Sequence, residues 1–169
     1  MPDFAFSSPR LLRSGDPTEA FDCGVEELNR YLQRYALQAQ SGDGARSYVT
    51  FLGDRIAGYY TLAYGSVEFE SAPERMIKGL ARHPVPVIIL ARLAVDCRSA
   101  GQGLGTELLR DALIRTLSAA DIAGLRAVVV DSKGDGAKRF YEKFGFEPFP
   151  EQPYRLFLIL KNVRAIMKG

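Results

Sequence analysis

The chain has little excess charge of either sign. Among its 169 residues, 22 Lys and Arg stand against 20 Asp and Glu, a formal net charge of +2. Bulk charge therefore gives no argument for nucleic-acid binding, and any basic surface has to be local. Cysteine is scarce: Cys23 and Cys97 are far apart in sequence and outside any metal-ligand spacing, so both read as reduced thiols of a cytosolic protein and no metal is expected. The lone histidine, His83, sits among prolines and reads as a loop residue rather than a catalyst. The opening MPDFAFSSPR has no basic stretch followed by an apolar run, which argues against a secretory signal. The strongest apolar run, VPVIILA at 85–91, is too short to span a bilayer. Internal repeats and low-complexity linkers are also missing. A soluble, cytoplasmic protein without membrane contact is expected, folded as a single domain over 1–169 and large enough to bury a core without disulfides.

What is present are hydrophobic periods. Val25, Leu28, Leu32, Tyr35 and Leu37 recur at helical spacing over 25–40, with Asp22 and Gly24 to start the turn. RSYVTFL (46–52) and RIAGYYTLAY (55–64), divided by Gly53-Asp54, read as an antiparallel hairpin. A proline-rich connector with a short helical pattern follows over 71–86, then a strand over 87–96. Beyond it come a glycine loop, a helix from Gly103 to Ala120 and an apolar strand at 125–131 buried on both faces. A short helix closing near Gly145 and a last strand at 155–161 complete the order. This predicts an α+β (mixed α/β) domain with a partly parallel sheet flanked by helices.

The loop RSAGQGLGTELL carries Gly101, Gly103 and Gly105 on alternate positions just before a helix. Bare amides at a helix start, aided by the macrodipole, suit an anion, most often phosphate. A P-loop requires Lys followed by Ser or Thr after its last glycine, whereas Gly105 is followed by Thr106-Glu107. A Rossmann loop needs a glycine where Thr106 stands. A turn whose glycines merely permit positive φ is the plainer alternative.

Taken together, LAVDCRSAGQGLGTELL and AKRFYEKFGF resemble the GNAT-type N-acetyltransferases over roughly residues 92–146. FDCGVEELNRYL, GYYTLAYGSV, ILARLAVD and PYRLFLIL extend the resemblance to the GNAT-type toxins of bacterial toxin-antitoxin modules. The resemblance implies a splayed central sheet and acetyl-CoA as co-substrate. It implies binding by Leu93, Ala94 and Val95 on the strand, by Ala100, Gly101, Gln102, Gly103, Leu104, Gly105 and Thr106 in the loop, and by Phe140. Ala100 stands where the family has Gln or Arg, while Arg98 fits that formula only in a frame shifted by two. The implied acceptor is the α-amino group of aminoacyl-tRNA, with a ribbon-helix-helix antitoxin as partner and a homodimer as assembly. A small amine or protein N-terminus as acceptor, and a module that only binds coenzyme A, are the alternatives.

By the same resemblance Tyr141 donates to the coenzyme A sulfur and the Val95 N–H polarises the thioester carbonyl. A phenol (pKa about 10) is a weaker acid than a thiol (about 8.5), so full proton transfer is uphill by about 2 kcal/mol and a hydrogen bond to developing charge is expected. An α-amine, with a pKa of about 7.7 to 8, is partly neutral near pH 7, consistent with the lack of an evident base. Cys97 reads as a small buried thiol. Arg92, inside an apolar strand, is expected either to pair with a carboxylate or to face the tRNA. Glu107, Arg110, Asp111 and Arg115 read as a solvated helix face. Arg75, Lys78 and Arg82 in the connector, and Arg155, Lys161, Arg164 and Lys168 near the end, offer local basic surface for phosphates.

Overall fold

The computed structural model describes residues 5–168. Its strands are β1 (Arg10–Leu11), β2 (Arg46–Leu52), β3 (Arg55–Val67), β4 (Val85–Val95), β5 (Ala127–Asp131), β6 (Glu147–Phe149) and β7 (Gln152–Ile159). They form one mixed sheet in the order β1-β2-β3-β4-β5-β7-β6, in which β4 and β5 run parallel. The helices are α1 (Glu26–Arg30), α2 (Ala36–Ser41), α3 (Glu74–Ile77), α4 (Leu104–Ala120), α5 (Asp135–Glu142) and α6 (Leu160–Lys168). The chain divides into two compact units, Met1–Ala63 with Ala91–Ala112, and Tyr64–Leu90 with Leu113–Gly169.

In the first unit the expected helix over 25–40 is α1 and α2 joined by a π turn, Tyr31–Tyr35. Only part of the expected apolar stripe faces inward. Leu32 and Ala36 pack with Val49, Ile56 and Tyr59, whereas Tyr35 is 50% exposed and Val25 and Leu37 also lie outside. The helix start is fixed by Asp22, whose Oδ1 accepts from the Gly24 N–H (2.9 Å) and Asn29 Nδ2 (3.0 Å). The hairpin turns at Gly53-Asp54 as its sequence predicts, and β3 runs three residues past 64, to Val67. A bulge opposite Thr50/Phe51 leaves Ala57 without a register partner on β2, and the Ala57 carbonyl instead accepts the Asp96 N–H at 2.8 Å. Helix α4 lies directly on β3 at Gly58, where an added Cβ would meet Leu108 Cδ1 at 2.9 Å and the Ala94 carbonyl at 3.0 Å. Close approach, and not a turn, requires that glycine.

In the second unit, Val67, Met76, Val85, Val87, Ala127, Val129, Phe149, Phe157 and Ile159 make the core. Four of the five β5 residues are buried, as a strand covered on both faces should be. Strand β4 begins at Val85, so the connector ends two residues earlier than its prolines suggest. The last strand differs more. β7 starts at Gln152 and stops at Ile159, and Leu160 and Lys161 open α6, an element the sequence reading missed along with β1 and β6. The short helix expected over 134–146 is α5, flanked by Gly134 (φ 95°) and Gly145 (φ 98°).

Candidate active site

The glycine loop belongs to the first unit. Past the turn Cys97–Ser99, Ala100, Gly101, Gln102 and Gly103 are all exposed, and α4 starts at Leu104. Gly101 (φ 77°) and Gly103 (φ 79°) occupy the left-handed region, so the plainer reading of their role is true. It does not exhaust their role, because a Cβ at either position would meet no atom within 4 Å. The loop is open on the side that a ligand would approach. Gly105, expected in the loop, is instead a first-turn helical residue with Leu104 and Thr106. The earliest helical bond recorded there runs from the Glu107 N–H to the Gly103 carbonyl (3.2 Å), and the amides before it belong to the turn that lacks helical acceptors. Just upstream, the Ser99 hydroxyl is fully buried without a hydrogen-bond partner. An open cradle of helix-start amides next to an orphaned hydroxyl fits a diphosphate.

The loop is anchored from below by a charged network that sequence reasoning missed. The buried Asp96 carboxylate accepts from the Arg98 N–H, Nε and Nη2, each at 2.9 Å, and from the Asp22 N–H at 3.1 Å. These donors, Arg98 first, hold the Asp96 carboxyl at about 2, below the usual carboxylate range. Arg98 also donates to the Ala20 carbonyl at 3.1 Å. It is therefore a structural cation tying 20–22 to the loop.

Val95 ends β4, with Ala94 buried and Leu93 half-buried before it. The next amide, that of Asp96, points at β3 through its bond to Ala57. Strand alternation then sends the Val95 N–H away from β3. The registered pairing of β4 with β5 covers Val87–Leu90, and β4 continues to Val95 beyond it.

Tyr141 lies on α5 in the second unit, 7% exposed, edge-on to Phe140 (5.1 Å, 76°) and Phe146 (5.4 Å, 62°). Packing with those rings makes it a core aromatic in part. Burial pushes its phenol pKa up, and the hydroxyl has no hydrogen-bond partner among the described residues. Phe140 itself is half-buried and also packs on Phe144.

Other expected residues fall differently. Cys97 is exposed, not buried, because it opens the turn after β4 and only the Ser99 side of that turn packs inward. Arg92 stacks on the Tyr31 ring, its guanidinium carbon 3.5 Å from the centroid, and this contact takes the place of a carboxylate. Asp111 leaves the solvated face of α4: the buried Tyr60 hydroxyl donates to it. In the connector, Arg75 pairs with Glu147 and Arg82 with Glu70, so two of the three cations are already neutralised there. Lys78 is exposed, with its carbonyl held by Arg126 Nη2 at 3.0 Å. Arg155 lies over Phe149 and 3.8 Å from Asp131. Lys161, Arg164 and Lys168 all project from α6 into solvent, at positions that share one helical side.

The acetyltransferase (GNAT) domain family matches residues 43–148, and the chain belongs to that family. Within it the chain is similar to toxins. It is 43% identical over 162 residues to a tRNA-acetylating toxin of Mycobacterium tuberculosis (strain ATCC 25618 / H37Rv), covering 96% of this chain and 97% of that protein. Its fold matches AtaT complexed with acetyl-methionyl-tRNAfMet (TM-score 0.87, 26% identity, 96% and 99% of the two chains). It also matches a tyrosine-to-phenylalanine mutant of the AtaT toxin bound to the C-terminus of the antitoxin AtaR and acetyl-CoA (TM-score 0.82, 26% identity, 98% and 99%).

Proposed function

We propose that this chain is an acetyl-CoA-dependent toxin, acting in the cytoplasm, that acetylates the α-amino group of aminoacyl-tRNA and so blocks translation. The observation that carries the reading is the open turn Gly101–Gly103 leading into the first amides of α4, in a chain 43% identical to a tRNA-acetylating toxin; the Ala100 N–H is itself taken by the Cys97 carbonyl at 3.4 Å. In this reading residues 1–169 act as one catalytic domain, a cognate ribbon-helix-helix antitoxin neutralises the toxin, and the toxin is a homodimer.

The loop amides hold the diphosphate of acetyl-CoA, with Gly101 and Gly103 keeping its approach clear. Leu93 and Ala94 place the strand edge, and the Val95 N–H donates to the thioester oxygen as charge develops there. The amine nitrogen bonds to the carbonyl carbon, the carbon–sulfur bond breaks, and the amine proton passes to water. Tyr141 donates a hydrogen bond to the departing sulfur, which takes a proton back from water as coenzyme A leaves; Phe140 and Phe146 hold the ring. Burial keeps the phenol protonated through the physiological range, which suits a donor and not a base. Acceptor RNA lies against the exposed cations of α6 and Lys78, whereas Arg75, Arg82 and Arg92 are already engaged by Glu147, Glu70 and the Tyr31 ring.

The test is to measure acetyl-CoA binding by calorimetry on the wild-type chain and on Gly103→Val. Micromolar binding by the wild type and at least tenfold weaker binding by the folded variant are expected. Equal affinity of the two proteins would refute the loop assignment.

A further inference from the structure

We propose that Cys23 and Cys97 are a reversible disulfide pair that controls the entry to the glycine loop. The segments around them run side by side in the first unit. The Cys97 N–H donates to the Asp22 carbonyl at 2.8 Å, and the Asp22 N–H donates to Asp96 at 3.1 Å. A methyl group placed on Gly24 would lie 3.5 Å from the Cys97 sulfur. Disulfides join Cα atoms about 4.4–6.8 Å apart, and the Cys97–Asp22 hydrogen bond on one side of Cys23 and the Cys97 sulfur beside Gly24 on the other bring Cys23 within reach of Cys97.

Their environments assign them different roles. Cys97 is exposed at the start of its turn and is the sulfur an oxidant reaches first. Cys23 is half-buried, its thiol donating to the Val25 carbonyl at 3.6 Å, and burial raises its pKa. It is the resolving thiol. With glutathione disulfide as oxidant, the Cys97 thiolate attacks one sulfur and releases a first glutathione thiolate. Cys23, on losing its proton, then attacks the Cys97 sulfur and expels the second. Two protein thiols are oxidised, and one glutathione disulfide is reduced to two glutathiones.

Drawing the Cys97 sulfur onto Cys23 pulls on the turn Cys97–Ser99, which leads directly into Ala100 and Gly101. Oxidation is therefore expected to weaken acetyl-CoA binding, a consequence that rests on the loop assignment above. The experiment treats the full chain with glutathione disulfide, alkylates remaining thiols and maps peptides by mass. The expected product is a monomer two hydrogens lighter, with a Cys23–Cys97 linked peptide that dithiothreitol removes. Cys23→Ser should stop at a glutathione adduct on Cys97. Only mixed disulfides, or links between chains, would overturn the pairing. Calorimetry should then show acetyl-CoA bound at least threefold more weakly by the oxidised chain, with no change on treating the Cys23→Ser/Cys97→Ser double variant. An unchanged affinity in the linked protein would overturn the control of the loop. If the reduced chain binds no acetyl-CoA, the loop assignment fails, while the peptide map still decides the pairing.

Discussion

Tyr141 and Asp96 are both buried and both perturbed, but in opposite senses. The phenol is raised by desolvation. The carboxyl is lowered because Arg98 and two backbone amides surround it. Tyr141→Phe keeps the ring contacts and removes only the donor. It is expected to lower kcat by about 10²- to 10⁴-fold, with acetyl-CoA affinity changed less than twofold. Steady-state kinetics beside calorimetry check this, and a coenzyme-A-binding module without catalysis would be indifferent to the change. The acceptor amine sets the pH profile: kcat/KM should rise to about pH 8 and then level, with no fall by pH 9, since Tyr141 stays protonated. Asp96 acts on stability. Its folded pKa is depressed, so its stabilisation is present above the unfolded value near 4 and fades as pH falls toward 2. The contribution is at most about 2–3 kcal/mol, reduced by the half-exposed Arg98. Asp96→Asn should unfold at lower denaturant concentration at pH 7, with the gap to the wild type narrowing toward pH 2.

Elements differ in how far they were legible in sequence. The hairpin, β5, α4 and α5 announce themselves by period, turn glycines or continuous apolar runs, and those signals are local. Elements defined by their partners do not. β6 has three residues and exists because β7 pairs with it, and β1 has two. α6 follows β7 without a break, so the apolar run RLFLILK hides the point where pairing stops. The candidate site was legible in the same measure. Gly101, Gly103 and Tyr141 could be read from spacing and resemblance, whereas the Asp96–Arg98–Asp22 anchor joins residues from distant parts of the chain. Gly58 is another position without a sequence signal. Gly58→Val would force Leu108 and the Ala94 backbone apart, and should destabilise the chain by roughly 1–3 kcal/mol in urea denaturation. For α6, Lys161→Glu with Arg164→Glu is expected to weaken tRNA binding at least tenfold and to flatten its salt dependence. Acetyl-CoA affinity should remain unaltered.

At the scale of the whole molecule, a near-neutral chain is asked to hold a polyanion. The net charge of +2 supplies little long-range attraction, and two connector arginines are paired internally. In the proposed function, tRNA would be held by a small number of exposed cations such as those on α6, which predicts a shallow salt slope. No helix among the described residues is long and apolar enough to cross a membrane. The central claim is transfer of an acetyl group from acetyl-CoA to the α-amine of charged tRNA. The most direct measurement incubates the chain with isotopically labelled acetyl-CoA and a pool of aminoacyl-tRNAs, digests the RNA, and weighs the aminoacyl-adenosines. The account predicts labelled N-acetyl-aminoacyl-adenosine with wild-type protein and its near loss with Tyr141→Phe. Label confined to free amines or protein, with none on the adenosine esters, would contradict it.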